Sequence, residues 1–135
     1  YALLAFPAGA WADRGHAGRL VALGLLALIA GNLVLAQSIG AAGVMLGAGF
    51  WGLHLALTQG LLSALVAGAA PADLRGTAFG VFNLACGVAL LVASTLAGWL
   101  WDAIGPSATF HSGAALTAVA AMVLFAYRRH LSALT

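Results

Sequence analysis

Charged residues are scarce in this chain of 135 residues: Asp, Glu, Lys and Arg together make up 6% of it, and Lys and Glu are absent. A soluble domain carries about 25% charged residues, because it must cover its apolar core with a surface that water accepts. Hydrophobic residues make up 64% of the sequence, and the mean hydropathy is +1.08. A soluble domain and a disordered segment are therefore excluded, and a bundle of transmembrane helices is expected.

Clusters of reactive side chains are missing as well. Cys86 is the one cysteine, which excludes a disulfide framework and a CxxC metal site; we expect it to be a small buried apolar residue. The five arginines fall into three separate clusters and form no basic stripe for nucleic acid. No predicted span holds a nucleophile–base pair or a metal-ligand cluster. We therefore expect no enzyme activity, metal, cofactor or nucleic-acid partner.

Short stretches of charged and polar residues divide the chain into five apolar segments. A helix needs about 20 residues to cross a hydrocarbon core of about 30 Å, so the first segment is a partial span and the other four are full spans. The third is longer than needed, so we expect tilt, a kink or an extension into the interface. No two-residue alternation indicates strands, and the predicted fold class is an all-α polytopic transmembrane helix bundle. The predicted spans are residues 1–11, 20–36, 41–69, 77–100 and 108–127.

All five arginines lie at alternate segment boundaries. Arg14 and Arg19 follow the first segment, Arg75 follows the third, and Arg128 and Arg129 follow the fifth. The boundaries after the second and fourth segments contain no arginine. Because loops rich in arginine stay on the cytoplasmic side, we expect these loops and the C-terminus to face the cytoplasm. The membrane would be a bacterial-type inner membrane.

Two stretches resemble the major facilitator superfamily. Gly-Ala-Trp-Ala-Asp-Arg at residues 9–14, followed by Gly18 and Arg19, is similar to the Gly-x-x-x-Asp-Arg…Gly-Arg loop signature of that superfamily. Three residues separate the two parts here, where the superfamily has one. Residues 71–80 and 97–106 resemble the second half of the same fold.

The resemblance implies a secondary transporter that moves a small solute by alternating access. Superfamily members have two halves of six helices, so the chain would run from the end of helix eight through helix twelve. Its partners would be the lipid bilayer, the missing N-terminal half and a small-molecule substrate, with proton coupling as one option. The alternative is a non-transporting scaffold or assembly subunit that associates through glycine-rich helix faces.

Charged loop residues are the gating candidates under this resemblance. Asp13 can accept charge-assisted hydrogen bonds from Arg14, Arg19 or Arg75, or from a helix N-terminus, in one conformation and lose them in the other. Gly9 would let the helix end pack closely against a neighbour. Alternatively, these are solvated charges that only set the topology, since exposed pairs contribute about 0–1 kcal/mol. The candidate gating loop residues are Gly9, Asp13, Arg14, Gly18, Arg19, Asp73 and Arg75.

Polar residues on the third segment are the main substrate-binding candidates. Trp51, His54 and Thr58 are spaced by three and four residues and share one helix face. The resemblance makes this segment helix ten, which lines the central cavity. His54 could bind substrate or take up a proton, or it could hydrogen-bond to a neighbouring helix. Gln59, beside that face, and Asn83, about two turns into the fourth segment, complete the set.

Small residues recur along the third and fourth segments. Such stripes permit close backbone approach between helices, so we expect them to be packing surfaces. They comprise Gly43 and Gly47 on the third segment and Gly76, Gly80, Gly87, Ser94 and Gly98 on the fourth.

Overall fold

The computed structural model describes residues 1–38 and 40–132, with side chains through residue 127. Five α-helices follow one another along the chain, and no strand occurs in the described residues, which confirms the all-α prediction. A π-helical turn, Ala12–His16, joins the first two helices. The helices are α1 (Ala2–Trp11), α2 (Ala17–Gln37), α3 (Ala41–Ala69), α4 (Arg75–Ala103) and α5 (Pro106–Ser132).

The helical stretches match the dimensions of a bilayer. Ala2–Gln37, Ala41–Ala69, Arg75–Ala103 and Pro106–Tyr127 are each long and apolar enough to cross a membrane. The 29 residues of α3 correspond to about 44 Å at 1.5 Å per residue. That length exceeds the hydrocarbon core, and the helix is uninterrupted, so tilt or extension beyond the core accommodates it.

The first of these stretches is a hairpin that turns at Gly15. The φ of Gly15 is +84°, a left-handed conformation that glycine adopts without steric cost. On the amino-terminal side of the turn, Tyr1 lies beside Gly52 of α3. Ala12, near the other end of α1, lines a small cavity together with Leu61. α1 and α3 therefore run in the same direction.

The second helix returns along α3 in the opposite direction and forms the centre of the bundle. Leu20, 2% exposed, lines the same small cavity as Leu61, and Gly31, a few turns later, lies against Gly47. α2 packs on α3 along one side and on α5 along another.

A polar contact marks the packing of α2 on α5. A Cβ atom added at Gly113 would lie 2.8 Å from Oδ1 of Asn32, so the amide occupies the space that a side chain would need. The Asn32 amide also donates a hydrogen bond of 2.9 Å to the carbonyl oxygen of Leu28 in its own helix. Asn32 is thus a packing residue between two helices.

The fourth helix lies at the periphery and has no buried residue. It is joined to α5 near their connection, where the rings of Trp101 and Phe110 meet edge-to-face at 6.1 Å and the Thr109 hydroxyl approaches the Ala97 carbonyl oxygen at 3.4 Å. Cys86 is exposed, so the expectation that it is buried is wrong. The reason is that α4 meets α3 and α5 without burying any residue against them, which leaves most of its surface uncovered in this part of the chain.

Two of the charged loops lie at the same end of the bundle. Along α3, Gly47 lies beside Gly31 of α2, and Leu61 lies beside Leu20, near the start of α2. α3 therefore runs toward the α1–α2 turn and ends at Ala69 on that side of the bundle. Asp73 and Arg75, which follow α3 directly, therefore lie at the end that carries Asp13, Arg14 and Arg19.

Candidate functional site

His54 links α3 to α2 through a hydrogen bond. Its Nδ1 lies 2.9 Å from the carbonyl oxygen of Gly24. A carbonyl oxygen can only accept, so Nδ1 carries a proton and donates it in this bond. Gly24 makes this approach possible, because it puts no side chain between its carbonyl and α3. The half-buried imidazole therefore holds two helices together through one of its ring nitrogens.

Thr58 lies one turn after His54 and faces α2. Its hydroxyl donates a hydrogen bond of 2.8 Å to the carbonyl oxygen of His54, and the residue is only 7% exposed. Its methyl group, Cγ2, would be 2.5 Å from a Cβ atom added at Gly24. The hydroxyl is thus satisfied within its own helix, and the methyl group fills the interface between α2 and α3.

The remaining substrate-binding candidates are exposed on the surface of these five helices. Trp51 is 47% exposed, although its backbone nitrogen lies near Gly31 of α2. Gln59 is exposed on α3, and Asn83 is exposed on the peripheral helix α4. The structure therefore brings Trp51, His54 and Thr58 to one side of α3, while Gln59 and Asn83 stay outside the α2–α3 interface.

The candidate gating loop is an exposed charged turn. Asp13, Arg14 and Arg19 are exposed around the positive-φ turn, and Gly18 is half-buried at the start of α2. Asp13 is itself exposed, so its carboxylate is open to solvent in this conformation.

Asp73 lies two residues before Arg75, the first residue of α4, and both side chains are exposed.

Gly9 does not have the packing role that we expected from the sequence. A Cβ atom added there would meet nothing within 4 Å, and the residue is exposed. The close approach of α1 is made instead by its neighbour Ala8, which is 8% exposed. Successive helix positions differ by about 100°, so turning Ala8 toward α3 turns Gly9 away from the described helices.

Sequence reasoning missed Gly24 and Gly31, the two residues on which the α2–α3 interface depends. Both are buried, and they are seven residues apart, which places them on one face of α2. This seven-residue spacing of glycines is visible in the sequence. It identifies a face suited to close approach, but it does not identify α3 as the helix that would approach it.

In the described ranges, no group of three His, Cys, Asp or Glu side chains converges to hold a metal ion.

Comparison with known proteins identifies the family. The family model described as Major Facilitator Superfamily matches residues 1–133. An uncharacterized MFS-type transporter of Methanocaldococcus jannaschii is 30% identical over 124 residues, which are 92% of this chain and 31% of that protein. The chain thus spans about a third of the length of this relative. No solved structure matches the chain. The match over nearly all of its length, together with the apolar helices, shows that the chain belongs to the major facilitator superfamily.

Proposed function

We propose that this protein is a secondary transporter that moves a small solute across the membrane by alternating access. The observation that carries the proposal is the family match over residues 1–133, and it favours transport over a scaffold role. In this proposal the chain supplies the region from the end of helix eight through helix twelve, and the other helices of the transporter complete the pathway. The protein acts without an enzymatic step, in a bacterial-type inner membrane, with its arginine-bearing loops in the cytoplasm.

In this proposal α3 lines the solute pathway. Trp51, His54 and Gln59 supply an aromatic surface, an imidazole and an amide along one helix, and Asn83 adds a second amide from α4. His54 is the proton carrier in this proposal, because an imidazole has a second nitrogen that can exchange a proton while Nδ1 keeps its bond to the Gly24 carbonyl. Thr58 contributes by packing, since its hydroxyl is already bonded within α3.

The charged turn between α1 and α2 acts as the gate. Its carboxylate, Asp13, and its neighbours Arg14 and Arg19 are exposed and lie at the same bundle end as Asp73 and Arg75. A movement that brings these loops together would create pairs between Asp and Arg, and a movement that separates them would return each group to water. Exposed pairs of this kind contribute about 0–1 kcal/mol, which is enough to bias two conformations of similar free energy.

The test of the gate is Asp13→Asn in the full-length protein. We expect transport to fall about fivefold, because about 1 kcal/mol of stabilisation is lost from one conformation only. The solute would first be found by screening compounds for thermal stabilisation of the purified protein. Its uptake would then be measured in proteoliposomes.

Asp102→Asn is the matched control. Asp102 is also an exposed aspartate, but it lies at the opposite end of the bundle near the α4–α5 connection. We expect its substitution to leave the rate unchanged. Wild-type uptake by the Asp13→Asn protein, with normal membrane insertion, would refute the gating role, and the absence of uptake for every stabilising compound would count against transport itself.

A further inference from the structure

The turn between α1 and α2 encloses an open cavity that none of the substrate-binding candidates touches. Its volume is about 290 Å³, just below the range of about 300–1,000 Å³ for small-molecule sites. Basic side chains and apolar side chains share its wall. The lining residues are Trp11, Arg14, His16, Arg19, Leu20 and Leu23.

The position of this cavity is that of a membrane interface. It lies at a charged turn between two apolar helices, so its basic groups are at the level where the hydrocarbon ends. Trp11 is 57% exposed, and tryptophan is enriched at this level because its ring is apolar and its N–H group is polar. In a bilayer crossed by these helices, the cavity would therefore open at the level of the phospholipid headgroups.

An apolar stripe leads from the cavity along α2. Arg19, Leu23 and Leu26 are spaced by four and three residues and share one helix face. Leu23 is 50% exposed and Leu26 is 61% exposed. A ligand held by Arg19 through its charged group would thus have an apolar surface beneath it, directed into the hydrocarbon core.

We propose that this cavity binds the phosphate headgroup of an anionic phospholipid. Arg14 and Arg19 donate charge-assisted hydrogen bonds to the phosphate oxygens, and one acyl chain lies along Leu23 and Leu26. Basic pockets next to transmembrane helices are the kind of site that binds acidic lipid headgroups. Asp13 lies beside Arg14 in the sequence but does not line the cavity, so two arginines face the ligand without a carboxylate between them.

A free phosphate ion would satisfy the same arginines, but the exposed leucine stripe argues for the lipid. The proposal depends only on membrane embedding, so it stands apart from the proposed transport.

Titration of the purified full-length protein with phosphatidylglycerol, followed by native mass spectrometry, tests the proposal. We expect phosphatidylglycerol to bind more tightly than phosphatidylcholine. Arg14→Ala and Arg19→Ala should each weaken phosphatidylglycerol binding about fivefold, while the charge-preserving Arg14→Lys and Arg19→Lys should retain most of it. Retention in the lysine variants shows that the loss is one of charge and not of folding.

Arg75→Ala is the matched control, because it removes an exposed arginine at the same bundle end but outside the cavity. We expect it to leave phosphatidylglycerol binding unchanged within twofold. An equal loss in Arg75→Ala would overturn the proposal in favour of unspecific attraction to anionic lipid.

Leu23→Ser separates the lipid from a free ion. We expect it to weaken phosphatidylglycerol binding and to leave the binding of inorganic phosphate unchanged. Unchanged phosphatidylglycerol binding in Leu23→Ser, or complete displacement of the lipid by millimolar phosphate, would overturn the proposal.

Discussion

The α2–α3 interface and the helix α4 carry the same sequence feature, glycines spaced along an apolar helix, but only the first uses it within this chain. A Cβ atom added at Gly31 would lie 3.2 Å from the carbonyl oxygen of Gly47, and one added at Gly47 would lie 3.3 Å from that of Gly31. The two backbones therefore touch through both glycines. A Cβ atom added at any of four glycines of α4 would meet no atom within 4 Å in the described part of the chain; these glycines are Gly76, Gly80, Gly87 and Gly98.

The difference shows that glycine spacing identifies a surface fit for close approach without identifying the neighbour. Hydrogen bonds follow the same division. On α3, His54 reaches the Gly24 carbonyl of another helix at 2.9 Å, whereas on α4 the Thr95 hydroxyl reaches only the Leu91 carbonyl of its own helix. At Gly24 the cross-helix bond forms because a glycine leaves its backbone carbonyl uncovered and α3 is close enough to use it. On α4 the Ala97 carbonyl is approached from α5 at 3.4 Å, near the connection of the two helices.

The largest effect is expected from Gly24→Val, which places a branched side chain against Thr58. The added Cβ atom would be 2.5 Å from Thr58 Cγ2 and 3.4 Å from Leu57 Cβ. Thr58 is buried and its hydroxyl is bonded to the His54 carbonyl, so it has little freedom to turn away. We expect the free energy of unfolding to fall by about 2 kcal/mol. Titration of the full-length protein with a denaturing detergent, followed by circular dichroism, measures this change.

Gly49→Val is the matched control for that substitution. Gly49 is a glycine of α3 whose added Cβ atom would meet nothing within 4 Å, so the helix-propensity change is the same and the clash is absent. We expect a loss of well under 1 kcal/mol. Equal losses in the two variants would show that α2 and α3 do not approach each other at Gly24.

A smaller effect is expected from His54→Ala, which removes the bond to Gly24 without creating a clash. Hydrogen bonds between transmembrane helices contribute about 0.6 kcal/mol on average, so we expect the free energy of unfolding to fall by about that amount. Thr95→Ala, which removes a bond within one helix, should cost less. The same detergent titration compares the two variants.

His54→Gln separates the structural role of His54 from proton transfer. Its amide can still donate to the Gly24 carbonyl, but it does not titrate in the physiological range. We expect the stability of this variant to stay near that of the wild type, while the pH dependence of transport is lost. An unchanged pH profile would remove His54 from the proposed proton pathway and leave its helix-linking bond intact.

The fold class could be predicted from the sequence because it depends on properties that are local in the chain. Apolar runs of about 20 residues or more, separated by glycine, proline and charge, leave few alternatives to membrane-spanning helices. Glycines also mark where the helices begin: Gly40, with φ +84°, precedes α3, and Gly105, with φ +123°, precedes α5.

The contacts of the site could not be predicted, because they depend on which helices become neighbours. The sequence places His54 near the middle of an apolar segment, but only the packing of α2 shows that its partner is the Gly24 carbonyl. The same limitation explains Cys86 and Gly9, which were expected to be packed and are exposed. Composition and spacing describe one helix at a time, whereas burial is a property of pairs.

The smallest effect is expected from Gly80→Ala, which tests whether the exposed glycines of α4 are free of close neighbours. An alanine at this position of α4 would add a methyl group where no atom lies within 4 Å, so the free energy of unfolding should change by no more than about 0.5 kcal/mol. The matched substitution in α2, Gly31→Ala, places the same methyl group 3.1 Å from Phe50 Cβ and should cost about 1 kcal/mol. Titration of both full-length variants with a denaturing detergent compares their free energies of unfolding. A loss above 1 kcal/mol at Gly80 would show that a helix outside this chain packs closely on α4, and α4 would then be a second covered interface in the full-length protein.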